Sequence, residues 1–379
     1  LIDVAIVGAG PVGAALGARL GRLGLACTIF ESRPGPAADA RTLALSEASR
    51  EGLEPLGGWP REGFTPIASI HVSQLGGPGR TVIEAREQGL AALGYTVGFS
   101  ALERSLHAAV ASTGIEIHFG SACERIELGA DAARLAVAGQ GTVEARLLVL
   151  ADGGANAARI PGIAFSEKDY GQHAVVATVA TDRPHRGRAW ERFTPAGPMA
   201  LLPVGEGYAL VWTATGAEAA RLRGLGDGAF VAELQARFGD RAGRFIAAGP
   251  RACFPLKLRV VNTPVALRTA IVGNAAQALH PVAGQGLNLG LRDAHQLADA
   301  IGACDAGAVG SLEMLDAYRQ ARRRDARRGI AFTDLLVSAF ASDLPLAPWG
   351  RGLALSALDL FPAARRLLAD RMIHGAPAP

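Results

Sequence analysis

Cysteine is scarce in this chain, with four residues at positions 27, 123, 253 and 304. No two have metal-ligand spacing and no Cys-x-x-Cys occurs, so neither a zinc site nor a disulfide scaffold is indicated. The four read as small buried hydrophobes in a reducing compartment. Lysine is scarcer still: it occurs at 168 and 257 alone, so the other 36 of the 38 basic residues are arginine. Charged residues make up 19% of the chain, below the usual ~25%. The net charge of +3 is too small for a dedicated nucleic-acid binder. With 49% apolar residues, global disorder is excluded. No basic segment precedes the opening apolar run, so no secretory leader is expected and the expected location is cytoplasmic. Residues 269–291 lack Asp, Glu, Lys and Arg, but Asn274, His280, Pro281, Asn288 and four glycines interrupt them. Such a stretch is costly in lipid. It reads as a buried loop and helix start that touches a ligand.

Glycine is abundant, at 48 of 379 residues, nearly twice the average of ~7%. It has no collagen-like period, so it belongs at tight turns and close backbone approaches. A chain of this length suggests about two domains at ~150 residues each.

The first motif is local and complete. The apolar run Asp3-Val4-Ala5-Ile6-Val7 leads directly into Gly8-Ala9-Gly10-Pro11-Val12-Gly13. An Ala/Leu-rich helical stretch follows over 14–23, then a second strand-like run over 26–30 closed by Glu31. This is G-x-G-x-x-G in the context that dinucleotide binding requires. Gly8 permits the turn, Gly10 lets a pyrophosphate approach the backbone, and Gly13 lets the helix pack on the strand. The helix start offers N–H groups and partial positive charge to phosphates. Glu31 is placed to accept hydrogen bonds from ribose hydroxyls. The motif alone does not choose between NAD and FAD.

Two further segments belong beside it. Leu147-Leu148-Val149-Leu150-Ala151 precedes Asp152-Gly153-Gly154. Later, Thr269-Ala270-Ile271-Val272 precedes Gly273-Asn274, followed by Leu279-His280-Pro281 and Gly284-Gln285-Gly286-Leu287-Asn288. A helix is expected from about 289 to 301, with Asp293 in an early turn complementing its dipole.

These three segments resemble the fingerprints of class A flavoprotein monooxygenases, the p-hydroxybenzoate hydroxylase group. Within it the resemblance is to ubiquinone-biosynthesis hydroxylases of the UbiH/UbiF/VisC type, nearest to UbiH. Further markers are Thr42-Leu43-Ala44-Leu45-Ser46, Leu56-Gly57-Gly58-Trp59, Tyr170-Gly171-Gln172 and Trp190-Glu191-Arg192-Phe193-Thr194-Pro195. One departure is Asn274, where the broader family usually carries aspartate. The resemblance implies an α/β (α+β) fold. It divides into an FAD domain over 1–68, 97–165 and 260–330, an inserted mixed β-sheet substrate domain over 69–96 and 166–259, and a helical segment over 331–379.

The resemblance also implies the chemistry: ring hydroxylation of a prenylated phenol through a flavin C4a-hydroperoxide, with FAD as cofactor and NAD(P)H and O2 as co-substrates. Asp152, Gly153 and Asn274 are then expected near the FAD, and Arg41 and Arg104 as FAD contacts or as ordinary surface ion pairs. The segment carrying His280, Pro281, Gly284, Gln285, Gly286, Leu287 and Asn288 is expected to face the flavin ring. His280 has two readings, a proton-moving pocket residue and a satisfied buried histidine. Trp190, Phe193 and Tyr208 are candidates for the substrate wall, with plain sheet packing as the alternative. His71, His173 and His185 lack ligand spacing, and no metal is expected. Six arginines between 319 and 328 read as a solvated helix face or as an attraction to anionic lipid, in keeping with peripheral attachment to the inner membrane and with a ubiquinone-biosynthesis complex. The oligomeric state is not readable. A hydroxylase of a small soluble phenol and a non-catalytic flavoprotein subunit are the alternative functions.

Overall fold

The computed structural model describes residues 1–77, 79–279, 285–323 and 347–374. His280, Pro281, Gly284, the side chain of Gln285, Arg324, Arg327, Arg328 and the apolar residues 335–346 lie outside the described residues.

The first sheet is built around five parallel strands in the order Thr269–Ile271, Gly141–Leu150, Ile2–Val7, Cys27–Phe30 and Glu116–His118. Where the three inner strands meet, at residues 4–7, 147–150 and 27–30, Thr28 is the one polar residue, because both faces of such a sheet are covered. Helix Pro11–Arg22 crosses from the first strand to its neighbour and buries Ala14, Leu16, Ala18 and Leu20. Helices Phe99–Ala111 and Gln285–Gly302 pack beside it. On the opposite face Cys123–Leu128 and Ala133–Val137 pair as an antiparallel hairpin that continues onto Gly141–Leu150.

The second sheet has nine strands, and its main path runs Gln277–Ala278, Ala252–Val261, Phe165–Thr181, Gly207–Thr215, Gly197–Val204, Arg188–Thr194, Ser69–Gln74 and Arg80–Glu84. Along this path the pair Arg188–Thr194 with Ser69–Gln74 is parallel, and the others are antiparallel. The hairpin read from Gly205-Glu206-Gly207 joins two of these strands. Helices Gly216–Gly224 and Asp227–Phe238 close one face of this sheet over a core of Trp212, Phe230, Leu234 and Phe238. Its other face is turned towards the first sheet. Two C-terminal helices, Ala347–Leu360 and Pro362–His374, lie against its edge at Arg80–Glu84 and Ser69–Gln74 and against the short helix Glu47–Leu53.

Candidate active site: one cavity from the glycine turn to the second sheet

A single cavity of about 1290 Å³ runs from the Gly8 turn to the second sheet and the C-terminal helices. Pockets for one drug-sized ligand span roughly 300–1,000 Å³, so this volume accommodates a cofactor together with a second molecule.

Its polar end is set by the first βαβ unit. Gly8 sits at φ +108°, and a Cβ there would lie 2.6 Å from the Ala151 carbonyl oxygen. Glycine is therefore required for the backbones of the two strand ends to meet. At Gly10 a Cβ would meet nothing within 4 Å, which leaves the backbone open towards the cavity that Gly10, Pro11 and Val12 line. Gly13 does not line it: a Cβ there would meet the Gly8 carbonyl oxygen at 2.0 Å, so this glycine is a packing residue. Glu31 closes the second strand. Its carboxylate accepts hydrogen bonds from the Ala9 amide at 2.9 Å and from the backbone and guanidinium of Arg33, each at 3.0 Å. Burial pushes the Glu31 carboxyl up, but the Arg33 and Ala9 hydrogen bonds and the Arg33 charge outweigh it and bring its pKa to about 2. The site thus offers an open glycine backbone, a helix start and an ionised carboxylate. That set fits the phosphates and ribose of a dinucleotide.

Asp152, Gly153 and Asn274 line the same cavity from the ends of neighbouring parallel strands. Asp152 accepts hydrogen bonds from the amides of Gly154 and Asn156, both at 2.9 Å, which fix the turn. Gly286, Leu287 and Asn288 line it from the first turn of helix Gln285–Gly302.

The fold and the sequence agree on what this arrangement is. The FAD binding domain family matches residues 1–333. Ubiquinone hydroxylase UbiL of Rhodospirillum rubrum is 34% identical, over 96% of this chain and 88% of that protein. The 3-demethoxyubiquinol 3-hydroxylase of Escherichia coli is 31% identical, over 94% of each. The structure of p-nitrophenol 4-monooxygenase PnpA from Pseudomonas putida superposes with a TM-score of 0.80 at 18% identity, covering 100% of this chain and 99% of that one. The chain belongs to the FAD-dependent ubiquinone-hydroxylase family. It is an FAD-dependent monooxygenase with the p-hydroxybenzoate-hydroxylase-like fold. The placement nearest to UbiH is corrected to this broader group, since the relative at 34% identity is UbiL.

Several residues of this flavin hydroxylase sit differently from the expectation. Asn288 lines the cavity, but its amide is occupied: Oδ1 accepts from the Ser46 amide at 2.9 Å and the Ser49 hydroxyl at 2.7 Å, and Nδ2 donates to the Ala44 carbonyl at 3.1 Å. It ties the helix to the segment 42–49. Arg41 lines the cavity and also pairs with Asp39 over the face of Phe99. Arg104 is exposed and does not line the cavity. Phe193 lines the wall. Trp190 reaches its edge, yet its indole donates to the Tyr208 hydroxyl at 3.2 Å and packs 4.7 Å from His71 on the opposite face. Tyr208 is buried in that opposite core and does not line the cavity. The reason is strand parity: residues 189, 191 and 193 share one face and residue 190 takes the other.

Asp293 does more than complement a dipole. It is fully buried, and it accepts hydrogen bonds from the Gly273 amide at 3.0 Å, Gln277 Nε2 at 2.7 Å and Arg322 Nε at 2.9 Å. Burial raises its pKa against the pull of Arg322. Arg322 is thereby removed from the solvated arginine face. Residues that sequence reasoning missed in the cavity are Arg33, Arg159 and Glu191. The last lay in a quoted motif, and strand alternation was the signal that could have found it.

Proposed function

We propose that this protein hydroxylates the ring of a polyprenyl phenol in ubiquinone biosynthesis, with NAD(P)H and O2 as co-substrates. Bound FAD supplies the chemistry that delivers an oxygen atom from O2 to an aromatic ring. Gly8, Gly10, Pro11, Val12, Glu31, Asp152, Gly153, Asn274, Gly286 and Leu287, all lining the cavity, would hold it. Arg33 and Arg41, each ion-paired to a neighbouring carboxylate, would add positive charge to the cavity wall. Asn288 positions the helix start that carries Gly286 and Leu287.

The observation that carries the substrate reading is the two-ended cavity. Beyond the glycine turn its wall becomes apolar, with Ile70, Val72, Ile83, Leu93 and Leu202, and it ends at Leu358, Ala369 and Ile373 of the C-terminal helices. A ring in the middle would send a prenyl chain towards those helices. Leu353, Leu360 and Leu367 of these helices and Phe361 between them are exposed at 71%, 74%, 58% and 63%. Among the described residues no helix is long and apolar enough to cross a membrane. Two short helices that expose leucines beside Asp359, Arg366 and Asp370 suit an interfacial attachment.

The test is direct. FAD-loaded protein, NAD(P)H and a short-chain prenyl phenol are incubated in air, and the product is read by mass spectrometry. The expected product carries one additional ring oxygen. Reductant consumption without hydroxylated product for a panel of prenyl phenols, but with product from a small soluble phenol, would reject the polyprenyl assignment.

A further inference from the structure

Glu191 is an acid in an apolar wall. Cross-strand register places five residues in one row over the cavity face: Thr81, Val72, Glu191, Ala200 and Val211, contributed by five adjacent strands. All five line the cavity. Glu191 is flanked by Val72 on one side and Ala200 on the other. No hydrogen bond or ion pair is formed by its carboxyl among the described residues. The second polar side chain of the row, Thr81, is likewise without a partner for its buried hydroxyl. Native structures satisfy most buried polar groups. Nothing in the packing of this sheet needs the carboxyl, since its neighbours in the row are aliphatic.

We propose that Glu191 is the polar anchor of the substrate chamber, its carboxyl pairing with the ring hydroxyl of the aromatic substrate and so fixing which ring edge faces the wall. This inference rests on the phenol reading above. The carboxyl is enclosed by protein yet reachable from the cavity, and burial raises its pKa to about 8. At neutral pH it is therefore mostly a neutral acid, able to donate and to accept a hydrogen bond. A chamber built to hydrogen-bond a hydroxyl rejects an analogue that lacks one, because the protein group is then left unpaired. Glu191 would thus determine specificity for a free phenol over its ether.

The experiment compares a geranyl-substituted phenol with its O-methyl ether. Binding of each to FAD-loaded protein is followed by perturbation of the flavin absorption, without turnover. The wild type is expected to favour the phenol by about tenfold, the equivalent of one buried hydrogen bond. E191L is expected to bring that ratio close to one, mainly by losing affinity for the phenol. E191A gives the same reading if leucine crowds the wall, and E191Q, which keeps hydrogen-bonding capacity, retains a several-fold preference. A wild-type ratio in both E191L and E191A would overturn the anchor and leave the phenol reading intact. Failure of the wild type to bind either compound would reject the phenol reading, and the anchor with it.

Discussion

Two carboxylates in one cavity are driven in opposite directions, and the difference predicts opposite responses to pH. Glu31 has its pKa lowered from 4.5 to about 2. Its contribution to stability is complete above its ordinary range and is lost as pH falls from about 4.5 through 2. The wild type should therefore lose thermal stability on acidification from pH 5 to pH 3 more steeply than E31Q. The same substitution should weaken FAD retention, because the glutamine amide is a poorer acceptor for ribose hydroxyls and leaves Arg33 paired with Glu103 alone. Glu191 has its pKa raised from 4.5 to about 8. Here the folded state holds a proton that the unfolded chain releases, so stability is lost as pH rises between those values. E191Q should be close to the wild type near pH 5 and more stable near pH 8.5, by several degrees in a thermal melt. A difference that shrinks as pH rises would contradict this. The glycine turn and Glu31 were legible in the sequence because their constraint is local: strand, turn, helix, strand and acid lie within 30 residues. Glu191 was not, because aromaticity drew attention to Trp190 and Phe193, and alternation along the strand places those two on opposite faces. Arg104 and Tyr208 lie off the cavity wall for a related reason: family position and aromatic character say nothing about which way a side chain points.

At the scale of elements, the Asp293 network welds three pieces of chain. Helix Gln285–Gly302 presents the carboxylate, the turn Gly273–Ala275 supplies an amide, and Arg322 arrives from the helical segment at 312–323. Tyr318, one turn earlier on that segment, donates from its buried hydroxyl to the Ile271 carbonyl at 3.1 Å. Removing one partner of a buried ion pair costs roughly 3–5 kcal/mol. D293A is therefore expected to lower the melting temperature strongly and to speed hydrogen exchange at the Gly273 amide, which then loses its acceptor. FAD retention should fall in parallel, since Asn274 shares that turn. Unchanged exchange at Gly273 would show that the turn is held by other contacts. The helix and the strand before it could be read from periodicity. Their junction could not, because the partners of Asp293 lie 20, 16 and 29 residues away in sequence, and the arginine concerned was hidden in a run that reads as a solvated face.

For the whole molecule, the strand order 269–141–2–27–116 of the parallel sheet and the crossing of the second sheet over the cavity follow from long-range pairing that no local pattern encodes. What sequence did provide was the set of segments that meet at the strand ends. It also provided the apolar C-terminal helices, though not that their inner faces would line the cavity. These helices carry the last prediction. Flotation with vesicles containing anionic lipid should recover the wild-type protein, and substitution of Leu353, Leu360, Phe361 and Leu367 by serine should leave it at the bottom of the gradient without lowering its melting temperature. Equal flotation of both proteins would place the attachment elsewhere.

The glycine turn and the second sheet open on one continuous volume, with no wall between them among the described residues. The seated cofactor then forms part of the surface against which the second molecule rests. Whatever factor the first occupant adds to the affinity of the second, the second must return to the first. Where that factor exceeds one, a ligand seated against the second sheet would tighten the hold of the glycine turn on its own occupant by the same factor. Because a ligand that binds the folded state protects it from unfolding, each occupant of this volume would then add to the stability of the fold that holds the other.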